Sequence, residues 1–467
     1  MRNEMTRREL LQGVGALAVA SVVDGRAAAL PRVGIVGGGM AGVSLAWMLD
    51  GQFEVTLLEA GPAIGGNVRG VDVDLDGRQF VVDIGAQFFH PGPYPIYTAL
   101  LTWLGLHPPV SASATSSHSF PASITVAAQG TAQPRFVSPI FPDRTWPLLA
   151  SWNSAGTSAF AICFAAARRR EQLNGSWSLT LGDWLPTLGL SRAQWEGMLL
   201  PWAASLFSGS IEQARGMSAR AAMIFAAKAL PANLLEQQLY YVLKPGMGEV
   251  LRRLVDQCST LDLRTDAAVA RVSRQADDTY LVQCGDGSSV TVDHLVFAAS
   301  GPATQQLLST LPGAASQAAA LQGIEFHDAT LALHSDPIYA PANPLFWSFL
   351  NCRVDGATCE ASMWMAPVLA NVPIATSAKL WKSWTTHRSQ QPGQVLHQAS
   401  FTHMLPTPST ISAQNLLRSL QGQDRLWFAG GYTLPYDAQE TAVLSALSVA
   451  LGLGVATSRV RTLARAQ

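Results

Sequence analysis

The chain has 467 residues, 48% of them hydrophobic and 13% charged, with a formal net charge of −1. That length exceeds one simple core and suits two domains, or one domain interrupted by insertions. The balance excludes a disordered acidic chain, no basic stripe supports nucleic-acid binding, and Cys163, Cys258, Cys284, Cys352 and Cys359 form neither a disulfide framework nor a CxxC pair for a metal.

At the N-terminus, Thr6-Arg7-Arg8-Glu9-Leu10-Leu11 leads into an apolar stretch from Leu10 to Val23 and then into Ala27-Ala28-Ala29. Paired arginines, an apolar run and small residues in this order resemble a twin-arginine export signal over residues 1–31, which implies a periplasmic or secreted protein. An ordinary amphipathic N-terminal helix in a cytoplasmic protein is the other reading. The run is shorter than the roughly 20 residues that span a bilayer, so no stable membrane span is expected.

Val33-Gly34-Ile35-Val36 then reads as a short buried strand, and Ala41 to Asp50 as a helix. Between them stands Gly37-Gly38-Gly39-Met40-Ala41-Gly42. Gly37 permits the tight turn, Gly39 lets the backbone approach a pyrophosphate, and Gly42 lets helix and strand pack closely, with Met40 and Ala41 opening the helix whose N-terminus faces the phosphates. A second strand, Phe53 to Leu58, ends at Glu59, where a carboxylate accepts from ribose hydroxyls and disfavours a 2′-phosphate. The glycine pattern alone is weak; with strand, helix and terminal acid around it, it predicts dinucleotide binding in a doubly wound α/β domain of Rossmann type.

The doublet Gly65-Gly66, followed by Asn67, comes soon after Glu59, and Val81-Val82-Asp83-Ile84-Gly85-Ala86-Gln87-Phe88-Phe89-His90 lies beyond it. This succession resembles the amine oxidase and carotenoid desaturase superfamily of FAD enzymes. The resemblance implies FAD rather than NAD, places Gly65, Gly66 and Asn67 against the dinucleotide, and brings Gln87 and Phe88 near the flavin ring. Asn67 stands where an arginine often follows the doublet. Leu243 to Glu249 opens a helix, and Leu261 to Val269 follows as a strand similar to the family segment whose valine touches adenine, which makes Val269 the candidate. Tyr280 to Cys284 and Ser289 to Val292, separated by Gly285-Asp286-Gly287, read as a hairpin.

The C-terminal run Asp424 to Gly431, followed by Gln439-Glu440-Thr441-Ala442, reads as strand, glycine turn and helix. In the family this last helix points its N-terminus at the pyrimidine edge of the flavin, so Gly430, Glu440, Thr441 and Ala442 occupy cofactor positions. The family's covalent subset carries a cysteine near this turn; none stands here, so non-covalent FAD is expected and no metal. Thr330 to Asp336 and Phe346 to Asn351 resemble a branch described generally as NAD/FAD-binding proteins or flavin-containing amine oxidoreductases.

The sequence departs from that family in two places. Amine oxidases carry a lysine on the sheet beneath the substrate, but the matching stretch Glu325 to Ala332 has none, and the nearest, Lys379, lies far downstream. Ala438 also stands where one of two substrate-flanking tyrosines is expected, with Tyr432 and Tyr436 nearby.

The FAD-binding domain is expected to be discontinuous, from 32–95, 240–300 and 420–460, with an interleaved α+β substrate domain from 96–239 and 301–419. Residues 150–235 read as largely helical; Trp202, Phe207 and Phe225 either line an apolar pocket or belong to the core. Arg168-Arg169-Arg170 reads as a solvated helix end or a binder of a substrate carboxylate. His90, His327 and His334 are the titratable candidates, and His90 is preferred as the catalytic residue because it follows the flavin-approaching segment. The expected activity is hydride removal from a C–H bond next to nitrogen or an unsaturated carbon of a lipophilic small molecule, with the electron acceptor open and oxygen among the candidates. A redox-neutral double-bond isomerase and a non-catalytic flavoprotein are the competing readings.

Overall fold

A computed structural model describes residues 29–107, 116–140, 145–229, 236, 238–369 and 371–467. The expected export signal lies outside them but for its last three residues. Five parallel strands form the first sheet, in the order Leu426–Phe428, His294–Phe297, Arg32–Val36, Glu54–Leu58, Asp262–Arg264. Strands so short and apolar suit a sheet covered on both faces. One face carries Met40–Leu49, Gly248–Asp256 and Gln439–Gly452 in a core with Trp47, Leu57 and Val296; Phe297 and Phe428 point to the other face. From the central strand Arg32–Val36 the chain order runs outward both ways, which opens a crevice at the strands' carboxyl ends.

The stretch 261–269, expected as one strand, is two. Asp262–Arg264 joins the parallel sheet, Asp266 turns the chain at φ +52°, and Val269–Arg274 begins a separate antiparallel sheet with Tyr280–Cys284 and Ser289–Val292.

A seven-stranded sheet forms the other half, in the order Val395–Met404, Phe326–His334, Trp381–Trp384, Thr358–Trp364, Leu350–Asp355, Ile124–Ala128, Phe136–Val137. All its pairings are antiparallel except that of Leu350–Asp355 with Ile124–Ala128. Helices Ser151–Gln172 and Leu200–Leu206 share its core, where Trp202 is buried and Phe207 packs at the margin. Arg169 and Arg170 lie in the last turn of Ser151–Gln172, and Arg170 donates to the Ser176 carbonyl.

Two stretches assigned to the substrate side pack elsewhere. Ile96, Tyr97, Leu100 and Leu101 of helix Pro95–Trp103 join the core beneath the parallel sheet, because its apolar stripe faces helices Gln439–Gly452 and Ser458–Ala466. Gly301–Ser309 and Ala315–Gln322 cover the other face with Leu307, Leu308 and Leu321.

Candidate active site

The first strand ends in a turn that only glycine fits. Gly37 has φ +112°, and a Cβ there would lie 2.6 Å from the Ala299 nitrogen; one on Gly42 would lie 2.0 Å from the Gly37 carbonyl oxygen. Gly39 is different. A Cβ there would meet only Gly65 O and Gly66 Cα, both at 3.9 Å, so the protein's own packing does not demand glycine and an approaching ligand would. The two glycine turns are joined: the Gly65 N–H donates to the Gly38 carbonyl at 2.9 Å, and Gly66 has φ +58°. Glu59 braces the turn, accepting from the Gly38 N–H at 2.7 Å and the Gly61 N–H at 2.8 Å. The Ala267 N–H donates to the Glu59 carbonyl, which puts Val269, half-buried and paired with Cys284, close beyond that acid.

Strand Arg78–Asp83 leads into the second candidate segment. The Ala86 N–H donates to the Asn67 carbonyl at 2.8 Å, and a Cβ on Gly85 would collide with that oxygen at 2.1 Å. At the far end, the Gln439 side-chain amide donates to the Phe88 carbonyl at 3.2 Å. Residues 85–88 therefore bridge the second glycine turn and the start of helix Gln439–Gly452. The Phe88 ring meets Phe349 at 5.1 Å, Tyr240 at 6.0 Å and Phe120 at 6.2 Å between ring centres.

Beneath this bridge lies a lysine that the sequence reading missed. Lys382, on strand Trp381–Trp384 and 2% exposed, donates to Asp83 O at 3.0 Å, Gly85 O at 2.9 Å and Gln87 Oε1 at 3.0 Å. Three acceptors match the three N–H bonds of an ammonium. Burial lowers the Lys382 pKa and raises that of Asp83, and the charge of each opposes the shift of the other. Asp83 also accepts from the Met247 N–H at 3.0 Å. Lysine is thus absent from the strand Phe326–His334 but present on its neighbour, across the pair Leu333 and Lys382.

The C-terminal turn has Gly430 at φ +138°, its N–H donating to Ser445 Oγ at 2.8 Å. Helix Gln439–Gly452 begins at Ala438, whose N–H donates to Thr441 Oγ1 at 3.0 Å, with Ala442 in the same first turn. Glu440 turns away from that end: its carboxylate accepts from the Tyr97 N–H at 2.7 Å and the Ile96 N–H at 3.2 Å, capping helix Pro95–Trp103. Burial pushes its pKa up to about 7, against those two N–H bonds.

His90 is half-buried, its Nδ1 accepts from the Gly92 N–H at 3.1 Å, and burial lowers its pKa. Its ring centre lies 6.5 Å from that of Tyr240, while Tyr94 stacks on Phe225 at 5.7 Å and Phe225 meets Tyr436 at 5.6 Å. The other two histidines are held elsewhere: His327 Nε2 meets the Phe207 carbonyl at 2.6 Å, and His334, fully buried, meets Ser383 Oγ at 2.8 Å. Among the described residues no group of three or more His, Cys, Asp and Glu is placed to hold a metal, and no helix is long and apolar enough to cross a membrane.

Residues 40–330, more than half of the chain, match the family of flavin-containing amine oxidoreductases. The chain belongs to this family. The oxidoreductase shares its fold with putrescine oxidase solved with putrescine, at TM-score 0.63 and 14% identity over 91% of this chain and 99% of the other. A fatty acid isomerase of P. acnes that produces CLA is similar at TM-score 0.62 and 10% identity, over 90% and 98%. Over 56 residues, 12% of this chain, it is 45% identical to the carotenoid phi-ring synthase of Chlorobaculum tepidum, a match that spans only 9% of that protein's length. Membership makes the chain an FAD-dependent oxidoreductase, and the turns fit the group: Gly39 is open to a pyrophosphate, and Glu59 keeps free lone pairs for a ribose.

Proposed function

We propose that the oxidoreductase binds FAD non-covalently along Gly37, Gly39, Met40, Ala41, Gly42, Glu59, Gly65, Gly66 and Asn67, with Val269 by the adenine. The ring end lies at Gln87, Phe88, Gly430 and the first turn of helix Gln439–Gly452, where the backbone of Glu440, Thr441 and Ala442 faces it. The flavin supplies a hydride acceptor. The protein's part is to bind, orient and exclude water. The substrate is a lipophilic small molecule with a C–H bond next to nitrogen or an unsaturated carbon.

The observation that carries this reading is the ring cluster Phe88, Phe120, Tyr240 and Phe349, which meets the ring-end segment at Phe88. Aromatic clusters of this kind favour apolar, flat or unsaturated groups and exclude water. His90 is assigned as the candidate catalytic residue: burial lowers its pKa, Tyr240 places it at the edge of the same cluster, and with Nδ1 accepting from the Gly92 N–H the neutral ring presents Nε2–H as a donor. Export by the twin-arginine route, which moves folded proteins, would let the chain leave with its cofactor; Arg7-Arg8 and the following apolar run support it.

The test starts from the purified chain without residues 1–29. Flavin absorption bands, with FAD released on denaturation, are expected, and anaerobic addition of lipophilic amines or unsaturated acids should bleach them. Conversion of an unsaturated acid to a double-bond isomer, with no acceptor consumed, would replace this reading with the isomerase. A colourless protein that FAD does not reconstitute would remove it.

A further inference from the structure

Gln87 is 4% exposed, and its two amide ends have different fates. Lys382 carries only donors, so the end facing it must be the carbonyl oxygen, whichever way an amide is first drawn. The NH₂ end is thereby aimed the opposite way, and among the described residues it takes no hydrogen-bond partner. Gln87 Nε2 is not among the fully enclosed side-chain atoms, so this donor stays open to a ligand. The bridge formed by residues 85–88 shows what that is: Ala86 is tied to Asn67 beside the second glycine turn, and Phe88 to Gln439 at the head of the last helix, so Gln87 stands between the two parts of the dinucleotide cradle.

We propose that Lys382 is a positioning residue: by holding Gln87 Oε1 it fixes the amide so that Nε2 donates a hydrogen bond to an acceptor atom on the ring end of the bound FAD. The inference rests on the flavin reading given above. Lys382 itself, with three N–H bonds directed at Asp83 O, Gly85 O and Gln87 Oε1, reaches the cofactor through Gln87.

A double-mutant cycle on FAD binding tests it, read by flavin fluorescence and by the position of the bound flavin's visible band. Gln87→Leu should weaken FAD about fivefold to tenfold, the range of one hydrogen bond, and shift the band. Lys382→Met should do the same, and the double variant should be no weaker than either single one. Unchanged affinity and band in Gln87→Leu overturn the donor, and losses that multiply overturn the positioning role. If Lys382→Met does not fold, Gln87→Glu decides: its carboxylate keeps Lys382 as partner but offers no N–H, so it must lose FAD as Gln87→Leu does, and wild-type affinity overturns the proposal. A wild-type chain that binds no FAD overturns the flavin assignment as well, and shows itself before any variant is made.

Discussion

Gly42 has no tolerance for a side chain, because its Cβ would lie 2.0 Å from the Gly37 carbonyl oxygen, a backbone atom that cannot swing away. Gly42→Ala is expected to lower stability by about 2 kcal/mol or more and to yield protein depleted in flavin, checked by urea unfolding and by the absorbance ratio of flavin to protein. Lys382→Met removes the partner of three buried oxygens and leaves Asp83 without a counter-charge, so a loss of about 3 kcal/mol is expected in the same unfolding experiment. Glu440 predicts a pH dependence. Its folded pKa of about 7 stands above the ordinary 4.5, so its contribution is complete below about pH 4.5 and is lost as pH rises through 7. Wild type should therefore lose unfolding free energy against Glu440→Gln across that window, on the order of 3 kcal/mol, read as a falling Tm difference. A flat difference in Tm would show that the carboxyl group titrates normally.

Among the elements, helix Gln439–Gly452 has the most exacting start. Thr441 Oγ1 both accepts from the Ala438 N–H and donates to the Ala438 carbonyl, closing the first turn. Thr441→Val keeps the shape and loses both bonds; a cost of about 1 kcal/mol is expected by thermal unfolding, with weaker flavin retention because the turn facing the ring end loosens. Elements of this kind were legible in the sequence: Gly37 to Gly42, Glu59 and Gly430 each answer a local steric or terminal requirement that neighbouring residues announce. Lys382 was not, because what makes it matter is sheet register. Its acceptors lie 295 to 299 positions away, and nothing in Trp381-Lys382-Ser383-Trp384 names them. The one local signal was a single lysine between Trp381 and Ser383, two residues before Trp384, in a strand buried throughout. Glu440 was legible as a residue of the last helix but not as the cap of another, since helix Pro95–Trp103 lies 343 positions away along the chain.

At the scale of the molecule, the parallel sheet takes its strands from opposite ends of the chain, with Arg32–Val36 in the middle and Leu426–Phe428 at one edge. A chain stopped at Ala438 would lose Val443, Ala446, Leu447, Val449 and Ala450 from the core beneath that sheet. It is expected to aggregate and to bind no flavin, by size-exclusion chromatography and absorption. The strands Arg32–Val36 and Glu54–Leu58 were legible from their apolar patterns, whereas the placing of Pro95–Trp103 and of residues 301–322 was not, because an apolar stripe says that a helix is covered and not by which neighbour.

The bridging position of helix Gln439–Gly452 has a consequence for the timing of synthesis. Translation delivers the two glycine turns long before the helix that tethers Phe88 through Gln439. The nascent chain thus carries half a cradle until that helix emerges, and tight capture of the cofactor waits for it.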